Sequence, residues 1–272
     1  MMSGMISNLR SRGRQVLVKS AARPRRALVW AHLRRRAAAQ GFAERDLKRF
    51  YAYFSNHLKL QSSHFVDPLQ QPSNYFPGLR SQPVYDEAEF SWTSSILRDF
   101  QDYKEELLAV SAASSLGDQP QNLTDRGRWS VLYFYAGGQR VGATYRACPR
   151  TSSFIDLVPG AGEAGQSYLS VLQGDTHIKR HFGPTNTRLR CHVGLIVPDG
   201  ARIRIGEQTY AWGEGECLIF DDSFDHEVWN DSDHDRIVLI IDFWHPDLTP
   251  AETWAISEAR RHRFGLRDIL HS

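Results

Sequence analysis

The chain has little cysteine, no long apolar run and few acidic residues near its N-terminus. Only 3 of its 272 residues are cysteine, and an odd number at wide spacing forms neither a disulfide framework nor a CxxC zinc motif. No apolar stretch approaches the ~20 residues needed to span a bilayer. These absences predict a reduced, cytoplasmic protein without a transmembrane segment. The cysteines are Cys148, Cys191 and Cys217.

The scarcity of acidic residues is confined to the first part of the chain. The whole sequence has 33 Lys and Arg against 31 Asp and Glu, a net charge of +2. Residues 1–50 hold 13 basic and 2 acidic side chains, which leaves 20 basic and 29 acidic ones in the remainder. Because 41% of the residues are apolar, the chain can bury a core and is not a disordered or collagen-like protein. A basic extension therefore precedes a mildly acidic folded domain.

The basic extension allows two interpretations. Residues 1–25 are expected to form a flexible tail, and apolar residues among the arginines predict a helix from Ala27 to about Tyr53. This helix is either a solvated amphipathic helix that packs on the main domain, or a segment that binds an anionic membrane or polyanion. The second interpretation would make the protein membrane-peripheral through residues 10–49. We place a domain boundary near residue 60, with residues 61–272 as the main domain.

The main domain changes character along its length. Residues 61–85 are rich in proline, glutamine and serine and predict an extended connector, and residues 86–115 show a helical pattern. From Trp129 onward short β-rich runs follow one another with no intervening helices, which predicts an antiparallel sandwich or barrel with its core at about residues 125–245. A capping box with proline at its second position predicts a C-terminal helix over residues 250–263. The predicted strands are Val131–Tyr135, Tyr168–Leu172, Arg188–Val197, Ala201–Ile205, Cys217–Phe220, Glu227–Trp229 and Arg236–Phe243.

The strand that begins at Arg188 has an unusual pattern. Alternation places Arg188, Arg190 and His192 on one face, with apolar residues on the other. An edge strand facing water tolerates such a face, but this strand continues as an apolar run typical of a core. Two buried guanidiniums are costly unless an anion compensates them, and arginine suits bidentate binding of carboxylates. The strand therefore predicts an internal carboxylate site.

Histidines near two strand ends are compatible with a metal site. His181 precedes the arginine strand, and His226 follows Asp222 at the start of another strand. A lone histidine is more often structural than a ligand, but two at strand ends fit a mononuclear site in a small β-barrel. The usual non-haem iron site has two histidines and a carboxylate. Its carboxylate normally lies two residues after the first histidine, where this chain has Gly183.

At these residues the chain resembles the aspartyl/asparaginyl β-hydroxylases. The resemblance covers roughly residues 75–255 and implies a mainly β fold with flanking helices, a double-stranded β-helix. It also implies an Fe(II)- and 2-oxoglutarate-dependent dioxygenase that uses O2. The family's aspartyl-hydroxylating branch has glycine at the position of Gly183 and binds iron with two histidines only. The matching segments are HFGPTNTRLRCH at 181–192, LIFDDSFDHEVW at 218–229 and RIVLIIDFWHPDLTP at 236–250.

The resemblance implies a role for individual residues. His181 and His226 match the iron ligands, and Asp222 matches a carboxylate that hydrogen-bonds metal-bound water. Arg188 and Arg190 match residues that hold the carboxylate of the substrate side chain. The residues that match the 2-oxoglutarate pocket are Trp129, Ser170, His192 and Arg236.

The resemblance leaves the substrate open. We expect hydroxylation at Cβ of an aspartyl or asparaginyl unit in a peptide, on a carrier protein or in a small molecule. A related branch that hydroxylates lipid A has His-Arg-Asp at the first histidine and a transmembrane helix, and both are missing from this sequence. A lipid or another carboxylate-bearing metabolite is the alternative substrate, and a non-catalytic barrel with a basic, anion-binding N-terminus is the alternative function. We do not expect a nucleic-acid partner.

Overall fold

The computed structural model divides into two compact units. The larger unit is Tyr53–Leu248, and the smaller one joins Met1–Ala52 to Thr249–Ser272. The C-terminal helix, which the sequence assigned to the main domain, is thus grouped with the N-terminal segment. The domain boundary predicted near residue 60 falls outside the described residues and stays a prediction. The residues that the structure describes are 29–56, 65–113, 116–119 and 123–261.

Helices occur in both units. In the described part of the chain, none is long and apolar enough to cross a membrane. Short 3₁₀ turns lie at Glu44–Leu47 and Glu87–Glu89. The α-helices are α1 (29–39), α2 (Lys48–Asn56), α3 (Thr93–Arg98), α4 (Phe100–Ala113), α5 (Gly142–Ala147), α6 (Pro149–Ile155) and α7 (Pro250–Arg261).

Thirteen strands are found among the described residues, and all seven predicted strands are present. They are β1 (Val84–Tyr85), β2 (Gly117–Asp118), β3 (Thr124–Arg126), β4 (Trp129–Ala136), β5 (Gln139–Arg140), β6 (Ser167–Leu172), β7 (Thr176–His181), β8 (Arg188–Ile196), β9 (Ala201–Ile205), β10 (Gln208–Tyr210), β11 (Cys217–Phe220), β12 (His226–Asn230) and β13 (Arg236–Trp244).

In the smaller unit, the prediction of one continuous helix from Ala27 to Tyr53 is wrong. The chain turns at Gly41, whose φ of 85° is readily adopted only by glycine. The amide of Phe42 donates to the carbonyl of Ala37 at 3.0 Å, the hydrogen bond that closes a Schellman motif. α1 and α2 are therefore separate helices. The expected tail at residues 1–25 lies outside the described residues.

The predicted capping box at the start of α7 is confirmed. The amide of Glu252 donates to Oγ1 of Thr249 at 3.3 Å, and the amide of Thr249 donates to Oε2 of Glu252 at 2.9 Å. Glu252 also accepts from Nε of Arg49 at 2.8 Å, and Arg36 pairs with the buried Glu258 at 2.8 Å. Part of the positive charge of the N-terminal segment is therefore neutralised within this unit.

In the larger unit, two helical predictions are corrected. The helix expected at 86–115 is a 3₁₀ turn followed by α3 and α4, with an interruption at Asp99, where φ is −103° and ψ is 23°. The β-rich region also contains α5 and α6, whereas the sequence predicted no helix there. Glu106 on α4 accepts from the amides of Arg150 and Thr151 at 3.1 and 2.8 Å, which satisfies the first amides of α6.

The strands of the larger unit form two antiparallel sheets. The major sheet has the order β1-β11-β8-β13-β6-β4-β2 with β5 on β4, and the minor sheet has the order β10-β9-β12-β7-β3. From β6 to β13 the chain alternates between the sheets, except that β9 and β10 are both in the minor one. β6, β13, β8 and β11 are adjacent in one sheet, and β7, β12, β9 and β10 in the other. This arrangement is a double-stranded β-helix, which confirms the predicted fold.

The two faces of the major sheet have separate cores. On β13, Leu239 and Ile241 belong to an apolar cluster that also contains residues of α4 and α6. Val238 and Ile240 belong to a second cluster, with Ile203 of the minor sheet. Alternation along one strand thus separates the helix-covered face from the face that looks into the β-helix. The face that looks into the β-helix also carries the polar side chains that the sequence predicted for the site.

An irregularity in β7 determines which way one histidine points. His226 of β12 pairs with His181, and Val228 pairs with Ile178, so three residue steps on β7 oppose two on β12. Without this bulge, the alternation that places Ile178 in the interior core would turn His181 outward. The extra residue returns the His181 side chain to the interior.

Candidate active site

Two histidine rings meet inside the β-helix. His181 and His226 are paired across β7 and β12, and their ring centroids are 4.0 Å apart. Each Nδ1 lies 2.8 Å from a backbone carbonyl, that of Lys179 or Phe224. A carbonyl only accepts, so each Nδ1 carries the proton and each Nε2 keeps a lone pair. Burial lowers the pKa of both rings, which keeps them neutral, as a metal ligand must be. The pair fits a metal ion bound by two Nε2 atoms.

Asp222 lies where a side chain at position 183 would project. A Cβ built on Gly183 would be 2.4 Å from Cγ of Asp222, far inside contact distance. Oδ1 of Asp222 is buried and has no hydrogen-bond partner among the described residues. In the same part of the chain, no three His, Cys, Asp or Glu residues are grouped to hold a metal. The protein thus offers two imidazoles, with a free carboxylate oxygen beside the glycine.

Arg236, at the start of β13, is a buried cation without an ion-pair partner in the described part of the chain. The side chain is 1% exposed, and among the described residues no carboxylate forms an ion pair with it and its Nε has no partner. Its guanidinium lies 4.9 Å from the ring centroid of Trp212. Burial lowers the pKa of Arg236 to about 10, so the group remains charged at neutral pH. An uncompensated charge inside a cavity is unfavourable. Binding of an anion beside Arg236 would therefore stabilise this site.

Two further polar side chains, Ser170 and His192, lie close to this cation. Ser170 Oγ accepts from Trp129 Nε1 at 2.9 Å and from Arg236 Nη1 at 3.4 Å, so its own proton is available to another oxygen. His192 Nδ1 accepts from Trp212 Nε1 at 3.2 Å. Burial and the charge of Arg236 lower the pKa of His192 far below its ordinary value. The neutral ring therefore carries its proton on Nε2, which has no partner among the described residues.

The two arginines of β8 are balanced by the protein's own carboxylates. Arg190 donates to Asp242 from Nε at 2.8 Å and lies 3.3 Å from Asp222, and Arg188 lies 3.3 Å from Asp222 and 3.2 Å from Asp242. Burial opposes ionisation here, but the carboxylates raise the pKa of Arg190 and the arginines lower that of Asp222. The burial of the two arginines therefore requires no external anion, contrary to the expectation from the strand pattern. Their predicted contact with a substrate stays a prediction.

The predicted site residues are brought together by one cavity between the sheets. All of them line it except Asp222 and Arg188, which are joined to Arg190 by the contacts above. The lining residues are Trp129, Tyr168, Ser170, Ile178, His181, Arg190, His192, Ile203, Phe220, His226, Val228, Arg236 and Ile240.

One histidine of β7 has a structural role, and one carboxylate near the site was not predicted from the sequence. The ring of His177 is held by Asp125 at 2.9 Å and Glu227 at 2.8 Å and is stacked on Trp229. It does not line the cavity. Asp242 was missed because it lies in the apolar run of β13. The one available signal was its even spacing from Arg236, which places both on the same face of the strand.

The chain belongs to the aspartyl/asparaginyl β-hydroxylase family. The family model described as "Aspartyl/Asparaginyl beta-hydroxylase" matches residues 97–246, a range that contains every residue of the cavity described above. Human aspartyl/asparaginyl β-hydroxylase is 35% identical over 209 residues, which cover 74% of this chain and 28% of that protein.

Other relatives carry different names. The ornithine lipid ester-linked acyl 2-hydroxylase of Rhizobium tropici is 34% identical over 190 residues, which cover 65% of this chain and 66% of that protein. Aspartate β-hydroxylase domain-containing protein 2 of Rattus norvegicus is 35% identical over 200 residues, 69% of this chain and 58% of that protein. The chain therefore matches only part of the length of each of these relatives.

Proposed function

We propose that the protein is an Fe(II)- and 2-oxoglutarate-dependent dioxygenase that hydroxylates Cβ of an aspartyl or asparaginyl unit. The observation that carries the proposal is Arg236, a buried guanidinium with no carboxylate partner among the described residues. Its cavity is also lined by the two histidines, whose Nδ1 hydrogen bonds leave the lone pair on Nε2. An anion site and a metal site within one closed β-helix match the needs of a cosubstrate that is both a dicarboxylate and a metal ligand.

The anion end of the cavity supports the binding of 2-oxoglutarate. The distal carboxylate would accept from Arg236, whose Nε lacks a partner among the described residues, and from the hydroxyl proton of Ser170. His192 Nε2 would donate to a second oxygen of the cosubstrate. Charge-assisted hydrogen bonds of this kind are strong when water is excluded.

The metal end would be held by His181 and His226, each oriented by its Nδ1 hydrogen bond. When bound, iron with 2-oxoglutarate and O2 supplies the oxidation of a C–H bond, with CO2 and succinate as co-products. The Oδ1 of Asp222, which has no partner among the described residues, would orient a water molecule at this end. The apolar side chains of Ile178 and Ile240 exclude bulk water from the space between the two ends.

The substrate end would be formed by Arg188 and Arg190. Both side chains are 11% exposed, and Arg190 lines the cavity. The Nε–H of Arg188, which has no partner among the described residues, would orient a side-chain carboxylate or carboxamide beside Arg190. Holding the substrate in this way positions Cβ for reaction.

Succinate release from 2-oxoglutarate by the purified protein, with Fe(II) and ascorbate, tests the proposal. We expect succinate with aspartyl or asparaginyl peptides and a product heavier by one oxygen atom in mass spectrometry. Arg236→Ala should raise the 2-oxoglutarate requirement by at least about a hundredfold, the effect of breaking a buried ion pair. Arg202→Ala, which removes an exposed arginine on the outer face of the minor sheet, is the control. A protein that releases no succinate with these peptides, with the lipid considered below or without added substrate is a non-catalytic barrel.

A lipid substrate is the second candidate. The acyl 2-hydroxylase from Rhizobium tropici is as similar to this chain, at 34% identity, as the human aspartyl/asparaginyl hydroxylase at 35%. Identity therefore does not separate the two substrate classes. Parallel assays with aspartyl peptides and with ornithine lipid in detergent micelles distinguish them, because the added oxygen appears in only one product.

A further inference from the structure

Asp242 is a fully buried carboxylate at the proposed substrate end, where it contacts both arginines. It lies on β13 directly across from Arg190 of β8, and its side chain is 0% exposed. Its two oxygens accept from Nε and Nη2 of Arg190 at 2.8 and 3.3 Å. Oδ2 also accepts from the amide of Gln166 at 2.9 Å and lies 3.2 Å from Nη1 of Arg188. The carboxylate is therefore held by two arginines of β8 and by the backbone immediately before β6.

The contacts of Asp242 make the two arginines unequal. All three nitrogens of Arg190 are engaged, with Nε and Nη2 on Asp242 and Nη1 3.3 Å from Asp222. Arg188 contacts the same carboxylates through Nη1 and Nη2, but its Nε is buried without a hydrogen-bond partner among the described residues. Arg190 is thus fixed by bidentate geometry, whereas Arg188 keeps a donor for a ligand.

The backbone next to Asp242 leaves no room for another arrangement. A Cβ on Gly165 would be 2.2 Å from Oδ2 of Asp242 and 2.5 Å from Nη1 of Arg188. Any side chain at position 165 would separate these two groups. The absence of a side chain there is needed for the carboxylate to reach both arginines.

We propose that Asp242 is a positioning residue for the substrate, because it locks Arg190 in place and, through its own contact with Nη1 of Arg188, orients Arg188 to receive the carboxylate or carboxamide. The negative charge of Asp242 also neutralises one of the two arginines. The arginines would then recognise a substrate by the geometry of its hydrogen bonds and would not attract every anion. The inference rests on the proposed hydroxylase function for its kinetic consequence. The lock itself is a property of these side chains alone.

Asp242→Asn tests the lock with little change in shape. We expect the KM for an aspartyl peptide to rise at least about tenfold, while the 2-oxoglutarate requirement stays within about twofold because Arg236 lies at the other end of β13. More succinate should form per hydroxylated product, because a misplaced substrate is oxidised less often. Asp231→Asn is the matched control, since Asp231 also joins two arginines, Arg126 and Arg202, each at 2.5 Å, but on the outer face.

A second measurement does not depend on activity. With ¹⁵N-labelled arginine, the Nε–H of Arg190 should exchange slowly in the wild type and in Asp231→Asn, and rapidly in Asp242→Asn. If Asp242→Asn does not fold, Gly165→Ala should produce the same rise in peptide KM by pushing the carboxylate away. An unchanged peptide KM together with unchanged exchange would overturn the inference. A wild type that releases no succinate but shows the slow exchange would refute the proposed function and leave the lock intact.

Discussion

Replacing Arg236 by methionine should change stability in opposite directions with and without the cosubstrate. Burial lowers the pKa of Arg236 well below the ordinary value of arginine, to about 10. A depressed pKa for a base means that folding disfavours its charged form, and a shift of this size corresponds to about 3 kcal/mol at neutral pH. Methionine removes this penalty but loses the contact with the Trp212 ring, which is worth about 1–2 kcal/mol. The ligand-free variant should therefore gain about 1–2 kcal/mol in unfolding free energy.

The order should reverse when 2-oxoglutarate is present. At a concentration about 100 times its Kd, the ligand stabilises the wild type by about 2.7 kcal/mol. The methionine variant should gain almost nothing, because the cavity then lacks the cation that binds the distal carboxylate. Urea denaturation in Mn(II), with and without 2-oxoglutarate, measures both differences.

The control for this experiment is Arg202→Met. Arg202 also lies 4.9 Å from a tryptophan ring centroid, that of Trp229, but its side chain is 40% exposed and paired with Asp231. Its loss should lower stability by less than about 1 kcal/mol and leave the response to 2-oxoglutarate unchanged. If Arg236→Met is equally destabilised in both conditions, Arg236 is a structural residue and the cosubstrate assignment fails.

Three other perturbations test separate parts of the site. His181→Ala should abolish the binding of Co(II), monitored by its absorption spectrum, and retained binding would show that His181 is not a metal ligand. The control His177→Ala, on the outer face of the same strand, should preserve Co(II) binding. Gly183→Asp should lower the unfolding free energy by about 1–3 kcal/mol and weaken Co(II) binding, because the new side chain overlaps Asp222; a gain in affinity would show that a third ligand fits. Burial raises the pKa of Asp221 from 3.8 to about 7, so between these pH values the folded state binds a proton that the unfolded state has lost. The free energy of unfolding should therefore fall by up to about 4 kcal/mol as the pH rises from 4 to 7. Asp221→Asn should flatten this slope in denaturation curves, and an unchanged slope would assign it to another group.

The parts of the site that the sequence predicted are those set by local alternation. β8 carries Arg188, Arg190 and His192 at every second position, and the strand is regular there, so the pattern gave the correct face. Arg236, by contrast, was implied by the family resemblance and not by alternation. Period-two patterns are reliable when one face of a strand is buried.

The parts that the sequence did not predict depend on irregular or distant pairings. β7 was missed because its bulge breaks the alternation between Ile178 and His181, and nothing in the residues themselves marks the extra step. The contact between Arg190 and Asp242 joins residues 52 positions apart. A charge balance of this kind appears only when β8 and β13 are paired. The helix break at Gly41 is different, because it depends on a local glycine that could have been recognised in the sequence.

β13 sets a length scale for the reaction that the protein is proposed to catalyse. Arg236 and Asp242 are six positions apart on one strand and face the same way, so they are separated by about 20 Å. The hydrogen bonds to β6 and β8 on either side prevent the strand from stretching. Any pair of molecules that reacts in the cavity must together match this distance, because the two ends cannot approach one another. β13 would then select its reactants by their combined length as well as by their charges.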